Sequence, residues 1–286
     1  MTYIIAAIAV ALAIHYIKSN WKRWRYAKDI VVPAPATKRT DLYWGYYGCL
    51  DEQVNEVRGT VNLHHESQFN GVDKAVQNII DAGVDTMLDV SIQVFTEHVK
   101  GQYKTTRHDA EVRLRDFFQL LQDRGALKYI KIIYPIDEPN NTVGALPELQ
   151  GAIAIIRRVA DLYLGADGYK LAVIYAADKA FIGQSMFDWV GFDDYDLKSH
   201  VLVGKMYQDL KASLLPHQRT IIVPGAAYGQ DPTPFVNFAY SNPEVAAVLP
   251  FLWLDNTNGD VGALGARSNG MGAQYLSTGK SIVEQA

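Results

Sequence analysis

The chain has 286 residues, 49% of them hydrophobic, which allows one domain of about 250 residues with a large buried core and a short additional segment. Its single cysteine, Cys49, excludes an intramolecular disulfide, so the fold does not depend on disulfide bonds. Beyond residue 28 the chain has 22 basic and 31 acidic residues, which argues against nucleic acid as a partner because phosphate binding requires a basic face.

Residues 1–28 predict an N-terminal hydrophobic helix that anchors the chain in a membrane. The apolar run Tyr3–Ile17 reaches the short end of the roughly 17–25 residues that a bilayer-spanning helix needs. Five basic residues and no acidic residue follow this run up to residue 28, whereas a cleaved signal peptide, the alternative, carries its positive charge before it. By the positive-inside rule we expect a single-pass protein with its globular part in the cytoplasm.

A proline-containing linker, residues 29–40, is expected between this anchor and a globular domain at residues 41–286. Within the domain, short apolar runs alternate with amphipathic helical patterns at Asp73–Ala82, Ala110–Asp123 and Pro147–Leu164. The eight strand-like runs are Tyr43–Tyr47, Thr60–His65, Thr86–Phe95, Tyr129–Ile136, Lys170–Ala176, Trp189–Tyr195, Thr220–Ala226 and Ala246–Leu254.

This alternation is typical of repeated β-α units around a parallel sheet. We therefore predict an α/β fold, a (β/α)8 TIM barrel preceded by the N-terminal hydrophobic helix. An open doubly wound sheet is the alternative, but the glycine-rich nucleotide-binding turn that usually follows its first strand is missing.

Polar and aromatic side chains collect at the ends of the predicted strands. Functional residues of a (β/α)8 barrel lie at the C-terminal ends of its strands, so this pattern predicts a binding site at one rim. His64 and His65 are adjacent on one strand and face opposite sides, so at most one of them lines the site. The predicted substrate-binding residues are Tyr46, His64, Gln93, Asp137, Tyr175, Asp193, Tyr195, Tyr228, Trp253 and Asp255.

Two acidic pairs stand out, Asp137-Glu138 after the fourth run and Asp193-Asp194 in the sixth. Glycoside hydrolysis uses two carboxyls, one to protonate the leaving oxygen and one to attack or to activate water. The alternative is structural: Glu138 before Pro139 is also a helix start, and the second pair could cap a turn. The chain has no zinc-protease, serine-elbow or phosphate-loop motif, and we expect neither a metal nor a cofactor.

The segment Ile132–Asn140, IIYPIDEPN, resembles the fourth-strand motif of clan A and related TIM-barrel glycoside hydrolases, in which Asn-Glu-Pro or Asp-Glu-Pro ends the strand. The resemblance implies that Glu138 is the general acid/base and that Asp137 takes the place of the Asn that contacts the sugar. It also implies that Trp253, in PFLWLDN, is the sugar platform of strand eight. These enzymes place a nucleophilic Glu at the end of strand seven, whereas TIIVPGAAYG has no acid here.

We therefore expect an enzyme that cleaves or transfers at a glycosidic bond of an oligo- or polysaccharide. Glu138 is its expected general acid/base, and Asp194 is the expected substitute for the missing second carboxylate. The alternative is a non-catalytic carbohydrate-binding or membrane-tethered structural barrel protein. Retention requires carboxyls about 5–5.5 Å apart and inversion roughly 6.5–9.5 Å, so the sequence leaves the stereochemistry open.

Overall fold

The expected membrane anchor and linker lie outside the residues that the structure describes. The computed structural model describes residues 39–48, 53–68, 70–97, 99, 102–143, 145–177, 180–193, 205–255 and 264–285. Within these ranges no helix is long and apolar enough to cross a bilayer. The single-pass membrane localisation inferred from the sequence is corrected on this finding, since it depended on an apolar run at the short limit for a spanning helix.

Eight parallel strands form a nearly closed barrel, as the sequence predicts. The strands are Tyr43–Trp44 (β1), Leu63–Glu66 (β2), Asp85–Asp89 (β3), Ile130–Tyr134 (β4), Lys170–Ala176 (β5), Trp189–Asp193 (β6), Arg219–Val223 (β7) and Val245–Val248 (β8). Their hydrogen-bonded order is β1-β8-β7-β6-β5-β4-β3-β2, and each neighbouring pair is parallel. The wall is therefore continuous except between β1 and β2.

β1 and β2 close the barrel through isolated contacts instead of a ladder. The Asn62 backbone N–H donates to the Trp44 carbonyl at 3.1 Å, and the Asn62 side-chain oxygen accepts the Trp44 N–H at 2.6 Å. A Cβ atom at Gly45 would lie 2.1 Å from the Leu63 carbonyl oxygen. Only glycine lets the two segments approach this closely.

The helices lie outside the barrel. Each of the three predicted helical patterns coincides with one of these helices to within one residue at either end. The helices are Gln53–Glu56 (α1), Val72–Ala82 (α2), Ser91–Val94 (α3), Ala110–Asp123 (α4), Pro139–Thr142 (α5), Leu146–Leu164 (α6), Lys205–Ser213 (α7), Thr233–Ser241 (α8) and Gly272–Val283 (α9). The predicted third strand, Thr86–Phe95, is wrong in its second half. β3 ends at Asp89, whose carboxylate accepts the Ser91 N–H at 2.7 Å, and α3 begins there.

Side chains alternate along each strand between the barrel interior and a layer under the helices. The interior layer contains Leu63, Met87, Ile132, Tyr134, Ala172, Ile174, Trp189, Ile221, Val223, Ala247 and Leu249. The outer layer is larger and joins strand residues such as Val173 and Val190 to helix residues such as Leu114 and Ile156. This alternation decides which polar residue at each strand end can face a ligand inside the barrel.

Candidate active site

An interior carboxylate at the end of β4, Asp137, is held by two tyrosine hydroxyls. Tyr134 donates to Asp137 Oδ1 at 2.9 Å, and Tyr47 donates to the same oxygen. Asp137 remains open to solvent through the barrel mouth, although protein atoms crowd its other sides. This crowding raises the pKa of Asp137, as does the Glu138 carboxylate, whereas the tyrosine hydroxyls and Lys104 act to lower it.

His65 on β2 packs against both tyrosines. Its ring stacks on Tyr47 with centroids 5.0 Å apart and meets Tyr134 edge-on at 5.4 Å. His65 Nδ1 accepts the Gly48 N–H at 2.9 Å, so the proton of the neutral ring is on Nε2. Burial, with a smaller effect from His64, lowers the pKa of His65 to about 3, so the ring is neutral at physiological pH. Nε2 is buried and has no hydrogen-bond partner among the described residues.

Asp89 ends β3 and faces the barrel interior beside this cluster. It pairs in register with Tyr134 of β4, and Met87, two residues earlier, belongs to the interior layer. Burial, with a smaller contribution from Asp137, raises the pKa of Asp89 to about 7, although the Ser91 hydrogen bonds and Lys104 act to lower it. A carboxyl with such a pKa carries a proton over a wide range below neutral pH and can donate it.

Glu138 lies where the chain turns from β4 into α5. Its backbone is in the left-handed region, with φ of 43°, and its N–H donates to the Ile174 carbonyl at 3.1 Å. Non-glycine residues in this region are uncommon and cluster at functional sites. The Glu138 carbonyl starts α5, and its half-buried side chain accepts a hydrogen bond from Asn141 Nδ2 at 2.8 Å. The turn therefore combines a helix start with a carboxylate at a strand end.

Three other predicted residues lie around this end of the barrel. Asp193 ends β6, is buried, and alternates in phase with the interior Trp189. Gln93 is buried on α3, where its amide donates to Gln68 Oε1 at 2.9 Å. Both carboxylate oxygens of Asp255 are hydrogen-bonded to residues that follow in the chain: one accepts the Gly265 N–H and the other the Ser268 hydroxyl, each at 2.8 Å.

Two predicted aromatic residues, Tyr46 and Trp253, face the helices instead of the interior. Their rings pack 5.3 Å apart in the outer layer, and Trp253 Nε1 donates to Glu56 at 2.6 Å. Near these two positions, Tyr47 and Phe251 reach the interior instead, and their rings lie 6.1 Å apart. The sequence indicates neither residue. It does not show the phase of the alternation beyond the two-residue strand β1, and β8 ends at Val248, before Trp253.

His64 and Tyr175 also face outward. His64 Nε2 lies 3.0 Å from a Glu66 carboxylate oxygen, and Tyr175 donates its hydroxyl to the Ile182 carbonyl at 2.6 Å. His65 takes the interior position that was assigned to His64. Asp194, Tyr195 and the side chain of Tyr228 lie outside the part of the chain that the structure describes.

No protein-family model and no curated protein matches the sequence. Among solved structures, a GH2 beta-galacturonidase from Eisenbergiella tayi bound to galacturonate has a TM-score of 0.57 and 10% identity, over 86% of this chain and 52% of that one. A structure of a GH2 beta-galacturonidase from Eisenbergiella tayi bound to glycerol gives 0.52 and 11%, over 87% and 51%.

A mannanase from Bacillus subtilis has a TM-score of 0.48 and 15% identity, over 76% of this chain and 82% of that one. The chain spans about half the length of the beta-galacturonidases that it resembles. At these identities the likeness is one of fold. The chain is thus an α/β barrel similar in fold to glycosidases.

Proposed function

We propose that this protein is a glycoside hydrolase-like enzyme that cleaves or transfers at a glycosidic bond, with Glu138 as general acid/base. The observation that carries the proposal is that Asp89, Asp137 and Glu138 lie at the C-terminal ends of β3 and β4, where two tyrosine hydroxyls bind Asp137. Glycoside hydrolysis needs carboxyls that flank the bond, and this is the end of the barrel where such enzymes act.

In this proposal, the polar and aromatic side chains around these carboxyls bind the substrate. The solvent-facing side of Asp137 accepts a sugar hydroxyl in this proposal, and Phe251 supplies an apolar ring at the rim in the place predicted for Trp253. Asp193 approaches from β6. Tyr195 and Tyr228 remain predicted sugar contacts, and Asp194 remains the second carboxylate that the sequence predicts.

The alternative function is carbohydrate binding without turnover. It is favoured by the end of β7, where Val223 is followed by Pro224, Gly225 and Ala226, so that no carboxylate faces Glu138 from this strand. A barrel of this kind would retain the tyrosine and phenylalanine side chains of the rim and bind a sugar without cleaving it.

The test is the activity of Glu138→Gln on a panel of aryl glycosides and polysaccharides. We expect kcat/KM on any substrate that the parent cleaves to fall by roughly 10²- to 10⁴-fold, the usual contribution of a general acid or base. Glu284→Gln is the matched control, because Glu284 is exposed and pairs only with Lys280 at 3.7 Å among the described residues. Parental activity in Glu138→Gln removes Glu138 from the mechanism, and an inactive parent that binds oligosaccharides favours the alternative.

A further inference from the structure

We propose that Asp89 is a further catalytic residue, the carboxylic acid that protonates the leaving oxygen while Glu138 accepts the proton of the attacking water. This inference rests on the proposed function; it assigns the second carboxyl of that site to Asp89 in place of Asp194 and leaves the base role to Glu138. It places the second carboxyl on β3, the strand beside Glu138's own, and not on β7, where related enzymes have it.

The position of Asp89 follows from the alternation and register of β3. Met87 faces the barrel interior, so Asp89, two residues further on, faces it as well. Asp89 is the register partner of Tyr134, and the Tyr134 hydroxyl donates to Asp137 at 2.9 Å. Asp89, at the end of β3, and Asp137, just beyond the end of β4, therefore both lie next to Tyr134.

Ser91 fixes the orientation of the Asp89 carboxyl group. Oδ1 accepts the Ser91 N–H at 2.7 Å, and the Ser91 side chain also hydrogen-bonds to the carboxyl group. The whole residue is 8% exposed, so the carboxyl is held in a defined position at the end of β3.

One buried polar atom in this cluster lacks a partner. His65 Nε2 carries a proton, and no described residue accepts it. His65 contacts Tyr47 and Tyr134, the two residues that hold Asp137. Because a buried donor without an acceptor is costly, this atom indicates a site that binds an oxygen-containing ligand.

The charged and titratable groups around Asp89 favour its protonated form. Tyr134 of β4 and Asp137, just beyond that strand, lie beside Asp89, and Lys104 approaches from the segment between α3 and α4. On the β2 side, the Gln68 amide donates to the Asp89 backbone carbonyl. Burial raises the pKa of Asp89 to about 7 against the lowering effect of the Ser91 hydrogen bonds. Repulsion from Asp137 contributes to this rise, because two neighbouring carboxyls resist double ionisation. Lys104 acts in the opposite direction.

The proposed step balances without any additional reagent. The Asp89 Oδ2–H bond breaks and its proton goes to the glycosidic oxygen, which also keeps the electron pair of the broken bond to the anomeric carbon. A water oxygen forms the new bond to that carbon, and the water proton goes to the Glu138 carboxylate. Proton exchange with solvent then restores both residues.

Asp89→Asn tests this role with little disturbance of the fold. The amide oxygen of Asn can still accept the Ser91 N–H that begins α3, but the group has no acidic proton to give. The substrates are two aryl glycosides of one sugar, with a phenol or a 2,4-dinitrophenol leaving group. Phenol needs a proton to leave, and 2,4-dinitrophenol does not.

We expect Asp89→Asn to lower kcat/KM for the phenyl glycoside by roughly 10²- to 10⁴-fold and for the dinitrophenyl glycoside by less than about tenfold. In the parent, kcat/KM for the phenyl glycoside should fall as the pH rises through about 7, since Asp89 then loses its proton. That alkaline limb should be absent in the variant. Asp85→Asn is the matched control, because Asp85 begins the same strand and accepts the Tyr43 hydroxyl at 2.6 Å, away from the site.

Equal losses on both substrates, or an unchanged alkaline limb, would overturn the acid role of Asp89, provided that near-ultraviolet circular dichroism shows a folded variant. If Glu138→Gln is inactive while Asp89→Asn is fully active, the proposed function stands and only this inference fails. If the parent cleaves no glycoside of the panel, both fail together.

Discussion

At the ends of β1 and β2, adjacent residues of the same type face opposite sides of the barrel wall. Tyr47 and His65 face the interior, whereas Tyr46 and His64 face the helices. The sequence shows the pairs but not the phase of the alternation, because β1 is only two residues long and its continuation is irregular. A one-residue error in phase moves every side chain to the other face. The sequence therefore predicts Tyr46 and His64 as interior residues, where the structure has Tyr47 and His65.

The strand-four residues were predictable because Asp137-Glu138-Pro139 is a local motif. Asp89 was not, since it lies in the middle of the apolar run Thr86–Phe95, which gives no sign that the strand ends there. The end of β3 depends on the hydrogen bond between the Asp89 carboxylate and the Ser91 N–H. Its proximity to Asp137 depends on the register of two strands that are distant in sequence.

Tyr47→Phe and Tyr46→Phe test the assignment of faces. Tyr47→Phe removes one of two hydroxyls that bind Asp137 Oδ1, and we expect kcat/KM to fall roughly 10- to 100-fold, because a hydrogen bond to a charged group contributes about 1.5–3 kcal/mol. Tyr46 lies in the outer layer, so Tyr46→Phe should change kcat/KM by less than about threefold. Both are measured on one aryl glycoside, and a larger loss in Tyr46→Phe would contradict the placement.

At the scale of elements, all eight strands overlap predicted runs, but only β5 has both of its predicted ends. The run Ala246–Leu254 contains β8 only as far as Val248. Pro250 has no N–H with which to continue the ladder, and the chain beyond it pairs with the β7 side only at an isolated bridge between Gly225 and Phe251. Hydrophobic pattern therefore locates strands well, whereas backbone hydrogen bonding sets where they end.

The closure between β1 and β2 predicts a strict requirement for glycine at position 45. In Gly45→Ala the new Cβ would lie 2.1 Å from the Leu63 carbonyl oxygen, so the segments must separate. We expect a loss of about 1–3 kcal/mol or more in the free energy of unfolding, the range of overpacked sites. The measurement is equilibrium unfolding in urea.

Gly151→Ala is the control for this substitution. Gly151 lies on the exposed face of α6, and a Cβ there would meet nothing within 4 Å. Since alanine favours helix over glycine, the control should be more stable than the parent by up to roughly 0.5–1 kcal/mol. A Gly45→Ala protein as stable as the parent would mean that the barrel is not closed by this contact.

For the whole molecule, the last described helix covers the first strand. Tyr275 of α9 lies 6.1 Å from Trp44 and 6.4 Å from Tyr46 between ring centroids. A Cβ at Gly279 would lie 2.1 Å from the Thr60 carbonyl oxygen, so α9 packs directly on the segment before β2. The sequence does not indicate α9, because two of its twelve residues are glycines of low helix propensity and its packing partners lie more than 200 residues away.

This arrangement predicts that α9 is needed for the barrel to fold cooperatively. A chain that stops after Gly270 would expose Trp44 and Tyr46, which are 0% and 1% accessible in the intact structure. Aromatic side chains bury about 150–250 Å² each, and at roughly 25 cal/mol per Å² the loss amounts to several kcal/mol, a large share of the 5–15 kcal/mol typical of a folded domain.

Thermal unfolding followed by near-ultraviolet circular dichroism is the measurement, and the shortened chain should show a broad transition or none. A chain that stops after Val283 keeps all of α9 and, among the described contacts, loses only those of Glu284 and Gln285, so its transition should remain close to the parent's. A sharp transition at the parental temperature after removal of α9 would show that β1 holds the barrel without it. The aromatic contacts between first strand and last helix would then be incidental to stability.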